Sequence, residues 1–124
     1  MGPERCLVAL GAVAGCLGVA LAAAASHGSG GTTLETSSRI LLAHAPALVG
    51  LAAVTAAGLA YRTFAIASGA LIAVGVALFS GDLAHRAFRS TALIPMAAPT
   101  GGVLMIAGWA LAAVSAVMGG RKRL

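Results

Sequence analysis

The 124-residue chain is 60% hydrophobic and only 9% charged, where a soluble domain carries about 25% charged residues. So few charges cannot cover a water-exposed surface of this size, so the composition excludes an ordinary soluble fold and points to lipid as the solvent; the mean hydropathy of +1.00 agrees. The formal charge of +5 does not indicate nucleic acid, because the basic residues sit singly at the ends of apolar runs and are not interleaved with aromatics; they read as topology signals and contacts for anionic headgroups.

The first apolar run, from Cys6 to Ala25, follows a head with Glu4 and Arg5, and its length suits a spanning helix of about 20 residues. Two processing readings compete with it. Its head, apolar stretch and small residues Ala22 to Ser26 resemble a secretory signal, and Val13-Ala14-Gly15-Cys16 resembles a lipoprotein cleavage box. A retained helix is the expectation, since the next three segments need a membrane in any case. Cys6 and Cys16 lie roughly 15 Å apart along one helix, too far to bridge each other, and read as small apolar packing residues.

The link His27-Gly28-Ser29-Gly30-Gly31 is too rich in glycine to continue a helix. Thr32-Thr33-Leu34-Glu35 has the capping-box pattern, which places the second helix from about Thr33 to Tyr61, with Pro46 removing the hydrogen bond to the Leu42 carbonyl. Tyr61-Arg62-Thr63 then forms a connection short enough to force antiparallel neighbours. The third helix is expected from Phe64 to Gly81, with small residues at Ala65, Gly69, Ala73, Ala77 and Gly81, a four-residue ladder of the kind that lets backbones approach in lipid.

Between Leu83 and Met96 the apolar residues are scattered, so a short piece in the headgroup layer is expected. Pro99-Thr100-Gly101-Gly102 opens the last helix, which runs to Met118 and carries a further ladder at Gly108, Ala112, Ala116 and Gly120. Gly11 and Gly15 form a GxxxG in the first helix. Internal packing is the preferred use of both, a partner helix the alternative. Trp109, halfway along the last helix, is expected inside the bundle. The sum is an all-α polytopic membrane domain over residues 1–124, with four antiparallel transmembrane helices at about 6–26, 33–61, 64–81 and 99–118.

Four crossings put Arg5, Arg62, Arg121, Lys122 and Arg123 on one side against Glu4, and Arg39, Arg86 and Arg89 on the other against Glu35 and Asp82. By the positive-inside rule both termini face the cytoplasm. His27, His44, His85 and Asp82 then share the far side, where three helices can aim imidazole and carboxylate into one mouth, as a proton or metal site requires. The structural alternative is favoured: Glu35/Arg39 and Asp82/Arg86 are acid-before-base pairs at i,i+4, His27 ends a helix, and no HExxH, CxxC or i,i+4 histidine pair is present. A phosphate loop and a nucleophile elbow are also missing from the sequence, so neither an enzyme nor a cofactor is expected.

Ala24-Ala25-Ser26-His27-Gly28, Ala43-His44-Ala45, Phe79-Ser80-Gly81-Asp82-Leu83 and Pro99-Thr100-Gly101-Gly102-Val103-Leu104 followed by Gly108-Trp109 together resemble the YgdD-like family. This is a domain-of-unknown-function family of small four-helix membrane proteins of bacterial inner membranes, with relatives in mitochondria. The chain departs from it in the third motif, where the family has a small polar residue, leucine and tyrosine. The resemblance implies the fold, singles out Ser80, Gly81, Pro99, Gly101, Gly102 and Trp109 beside His27 and His44, and implies no activity. The functional expectation is an accessory or structural subunit of a larger membrane assembly, its partners being lipid and other membrane subunits or further copies of itself. The alternative is a small-solute, metal or proton conduit acting as an oligomer.

Overall fold

A computed structural model describes residues 1–28 and 30–119. Its order is α1 (Pro3–Ser26), α2 (Gly31–Ala56), α3 (Arg62–Arg89) and α4 (Ala97–Gly119), and each helix is long and apolar enough to cross a membrane. Ser29, Gly120 and the basic tail Arg121-Lys122-Arg123 lie outside the described residues.

Hydrophobicity is arranged as lipid-solvated packing demands. Small residues make the closest contacts between helices, while many large ones face outward: Val103, Ile106 and Val117 are 65, 72 and 82% exposed. Consecutive helices run antiparallel and each packs on the next, α1 on α2, α2 on α3 and α3 on α4; α1 and α3 touch only slightly. That touch is at one end, where Leu7 lies over Gly69 and the Arg62 guanidinium donates to both Glu4 carboxylate oxygens at 2.8 and 3.3 Å. The core consists of Leu7, Ala14, Leu41, Ala45, Leu48, Ala52, Ile72, Val76 and Met105.

Glycine sets the closest approaches. A Cβ on Gly11 would lie 2.7 Å from the Ala45 carbonyl oxygen, and one on Gly101 would lie 2.6 Å from that of Gly75. At this separation a serine hydroxyl reaches the neighbouring backbone. Ser38 donates to Gly18 O (3.0 Å) between α1 and α2, Ser37 to Ser80 O (2.8 Å) between α2 and α3, and Ser68 to Gly108 O (2.7 Å) between α3 and α4. Ser80 returns a longer bond of 3.3 Å to Ser37 O. Such interhelical bonds in lipid contribute about 0.6 kcal/mol each on average, so their main effect is to fix register.

Several boundaries differ from the sequence expectation for identifiable reasons. The second helix starts at Gly31 without the capping box: its N-cap is Gly30, left-handed at φ 71°, where a Cβ would meet Ala87 and Leu34. Thr32 offers its carbonyl to Thr36, and Glu35 turns to Arg39. That helix ends at Ala56, well short of Tyr61, because Gly58 takes φ 76° and closes a Schellman motif: Gly58 N–H bonds Thr55 O at 3.1 Å and Leu59 N–H bonds Val54 O at 3.0 Å. The link is therefore residues 57–61. Tyr61 N–H then anchors it to Ser115 O at 2.8 Å.

The third helix does not stop at Gly81. It runs two further turns to Arg89 and stops at Ser90, left-handed at φ 59°, so the expected headgroup piece from Leu83 is a helical extension plus the 90–96 loop. Its ladder is used only in part. Ala65 and Gly69 are buried, Ala73 and Gly81 are half-buried and Ala77 is exposed; the α4 contact is made by Ser68, Ile72 and Gly75. On α4 the seam alternates steps of four and three through Gly101, Met105, Gly108, Ala112, Ser115 and Gly119, all buried or half-buried, while Ala116 of the expected ladder is exposed.

Candidate functional site

Polar side chains gather at the end of the bundle that carries His27, the α2 N-terminus and the 90–96 loop. Asp82 is its centre. The carboxylate is 0% exposed, with Oδ2 accepting from Arg86 Nε and Oδ1 from the Leu93 backbone N–H, both at 2.8 Å. One helical turn thus supplies a charge partner while the other oxygen draws the returning loop onto α3. His85 makes a second tether: its Nδ1 is 2.8 Å from Thr91 O, and because a carbonyl only accepts, that nitrogen is the donor. Together Asp82 and His85 shape the turn that launches α4 at Ala97, with Pro99 in its first turn.

His44 stands apart from this end, within the apolar part of α2. Its Nδ1 is 2.8 Å from Ile40 O one turn back. Its Nε2 is 3.1 Å from Trp109 Nε1 on α4, the rings tilted at 59° with centroids 5.9 Å apart. Trp109 is consequently not an interior ring. It is 50% exposed, on the flank of α4, because the α4 seam runs through Gly101, Met105, Gly108, Ala112 and Ser115 and position 109 falls beside it.

His27 caps α1 through its backbone N–H to Ala24 O at 3.2 Å, with the residue exposed. The expected convergence of His27, His44, Asp82 and His85 on one mouth is therefore not what the fold builds: Asp82 and His85 cooperate on the loop, while His44 pairs with Trp109. Among the described residues no group of three or more His, Cys, Asp or Glu side chains is placed to hold a metal ion, and no buried side-chain polar atom lacks a partner. Both i,i+4 ion pairs read from the sequence, Glu35/Arg39 and Asp82/Arg86, are formed.

The motif residues divide by role. Ser80 ties α3 to α2, and Gly101 is pressed on Gly75 and Phe79. Gly81 and Gly102 have open space beside them. Sequence reasoning missed Ser37, Ser38, Ser68 and Gly75. For Ser68 and Gly75 the available signal was a serine or glycine within an otherwise apolar run, where a hydroxyl must find a carbonyl; Ser37 and Ser38 lie in the polar first turns of α2, where nothing in the sequence sets them apart.

A groove is the other feature of note. Because α1 and α3 meet only near Leu7, they diverge toward the opposite end and leave an apolar cleft. Its floor is Leu41 and Leu48 of α2; Leu10, Val13 and Leu17 of α1 form one wall, and Ala73, Ala77 and Gly81 of α3 the other. The unused half of the α3 ladder is thus the wall of this cleft.

No solved structure matches the chain. Residues 21–102, from the end of α1 through the first turns of α4, match the family described as "Protein of unknown function (DUF423)", a span that takes in the serines of the interhelical ties, the Asp82 clamp and Gly101. The match covers more than half of the sequence, and the chain belongs to the DUF423 family.

Proposed function

We propose that this protein is a non-enzymatic accessory subunit of a membrane assembly, one of the YgdD-like members of its family. The observation that carries the reading is the cleft between α1 and α3. Its α3 wall presents Ala73, Ala77 and Gly81 at four-residue spacing, the pattern by which one helix admits another in lipid, yet among the described residues no helix fills it. A partner transmembrane helix lying in the cleft would contact the Leu41 and Leu48 floor and bury the exposed Leu10, Val13 and Leu17. The geometry favours this over a conduit, since both ring nitrogens of His44, both carboxylate oxygens of Asp82 and the Nδ1 of His85 are bonded within the fold.

Filling the cleft tests the reading without disturbing the bundle. Nothing lies within 4 Å of a Cβ placed on Gly81, so Gly81→Leu, combined with Ala77→Leu, is expected to preserve helicity and thermal stability. The same variant should lose the proteins that co-purify with the wild-type chain from native membrane in mild detergent. A wild-type particle containing one chain and its micelle alone, or a variant that keeps every partner, would sink the proposal.

The same reading puts the chain in a bacterial cytoplasmic membrane with both termini in the cytoplasm, and rests on the positive-inside rule applied to the sequence, with the basic residues at 121–123 counted beside Arg5 and Arg62. A reporter fused after Leu124 should be active only in its cytoplasmic form. Activity confined to the exported form would reverse the orientation.

A further inference from the structure

The His44–Trp109 contact has a chemistry that the rest of the bundle lacks. Indole N–H is a donor only, so His44 Nε2 must accept from it, and the Ile40 carbonyl accepts only, so Nδ1 must carry the imidazole proton. The two contacts, 3.1 and 2.8 Å long, therefore fix His44 as neutral imidazole in the Nδ1–H tautomer. An imidazolium has N–H on both nitrogens and would turn a donor toward the indole donor.

This bond is also mechanically placed. Among the described residues it is the one hydrogen bond between α2 and α4, which otherwise reaches the bundle through its seam with α3 and through the 57–61 link, where Tyr61 N–H bonds Ser115 O. No other charge competes for His44 within its stretch of helix. Residues 97–119 of α4 contain no ionisable side chain, α3 has none between Arg62 and Asp82, and α2 has none after Arg39 besides His44 itself. In α1 only Cys6 and Cys16 lie between Arg5 and His27. The nearest charges along the chain are Arg39 and Glu35, about 7.5 and 13.5 Å up the helix axis at 1.5 Å per residue, and these pair with each other. Five residues from Arg39, His44 lies near enough to the polar end of α2 for a proton to enter from the side that carries the 90–96 loop.

We propose that His44 and Trp109 form a proton-operated latch: protonation of His44 from the loop side breaks its bond to the indole and frees the flank of α4 from α2, leaving α4 held by α3 and by the 57–61 link. The latch stands on its own geometry and does not depend on the cleft between α1 and α3 having a partner.

The chain contains a single tryptophan, so the latch carries its own reporter. In lipid nanodiscs, Trp109 emission is expected to change in one step as the pH is lowered. His44→Gln, whose amide oxygen still accepts from the indole but takes up no proton, should abolish the step; His27→Gln and His85→Gln should retain it. Nitrogen-15 spectra of the wild-type chain read the protonation state of the ring directly. Above the midpoint the resonance absent from His44→Gln should show a protonated Nδ1 and a bare Nε2, and below it two protonated nitrogens. Emission that is flat with pH, a step that survives in His44→Gln, or an Nε2–H tautomer at high pH would each overturn the proposal.

Discussion

Gly101→Ala should destabilise the bundle by about 1–3 kcal/mol, the usual cost of forcing an extra carbon into a filled core, whereas Gly102→Ala, one residue on, should be neutral or stabilising. At Gly101 the added Cβ would lie 2.6 Å from Gly75 O and 2.7 Å from Phe79 N; these are backbone atoms of a helix and cannot turn aside as a side chain can. At Gly102 the nearest atom is the Phe79 ring carbon at 4.0 Å, so alanine brings only its better helix propensity, worth up to about 1 kcal/mol. Gly75→Ala meets Gly101 O at 2.7 Å from the other side and should behave as Gly101→Ala does. Unfolding of detergent-solubilised protein in a denaturing detergent, followed by far-ultraviolet circular dichroism, ranks the three. A Gly102→Ala variant as damaged as Gly101→Ala would mean that the α3/α4 seam is misplaced.

Asp82→Ala should release the turn between α3 and α4. It removes the acceptor for Leu93 N–H and the partner of Arg86 together, and hydrogen bonds to a charged group contribute about 1.5–3 kcal/mol. The Arg86 side chain is 45% exposed and can turn to water, so the larger loss falls on the Leu93 amide. Asp82→Asn keeps an oxygen for that amide and should lose less. Hydrogen exchange reads the difference: the Leu93 amide should exchange at least tenfold faster in the alanine variant, a factor equivalent to about 1.4 kcal/mol, and by a smaller factor in the asparagine variant. Unchanged protection in Asp82→Ala would show that the carboxylate does not hold the loop.

The four apolar rods were legible in the sequence because length and composition suffice to define a spanning helix, and both i,i+4 ion pairs follow from spacing alone. What escaped depended on tertiary geometry. Thr32 and Glu35 satisfy the capping-box pattern, yet Gly30 can take a left-handed turn against Ala87 and the box is not used. Residues 82–89 look too polar to prolong a spanning helix, but Asp82 finds Arg86 and Leu93, and the helix continues beyond the apolar zone. The four-residue spacing of Ala65 to Gly81 was read as one seam; α3 instead turns part of it to the α1/α3 cleft and meets α4 through Ser68, Ile72 and Gly75. The four candidate site residues were grouped by their expected side of the membrane, which says nothing of azimuth. His44 faces Trp109, and Asp82 faces the loop.

Because each helix leans mainly on the one made just before it, nearly every interface joins neighbours along the chain. Such low-contact-order topologies avoid the entropy of closing long loops and assemble fast. Each newly synthesised hairpin can settle against its predecessor while the ribosome is still at work, and the main seam of α4 needs only the Ser68, Ile72 and Gly75 face of α3 to be in place.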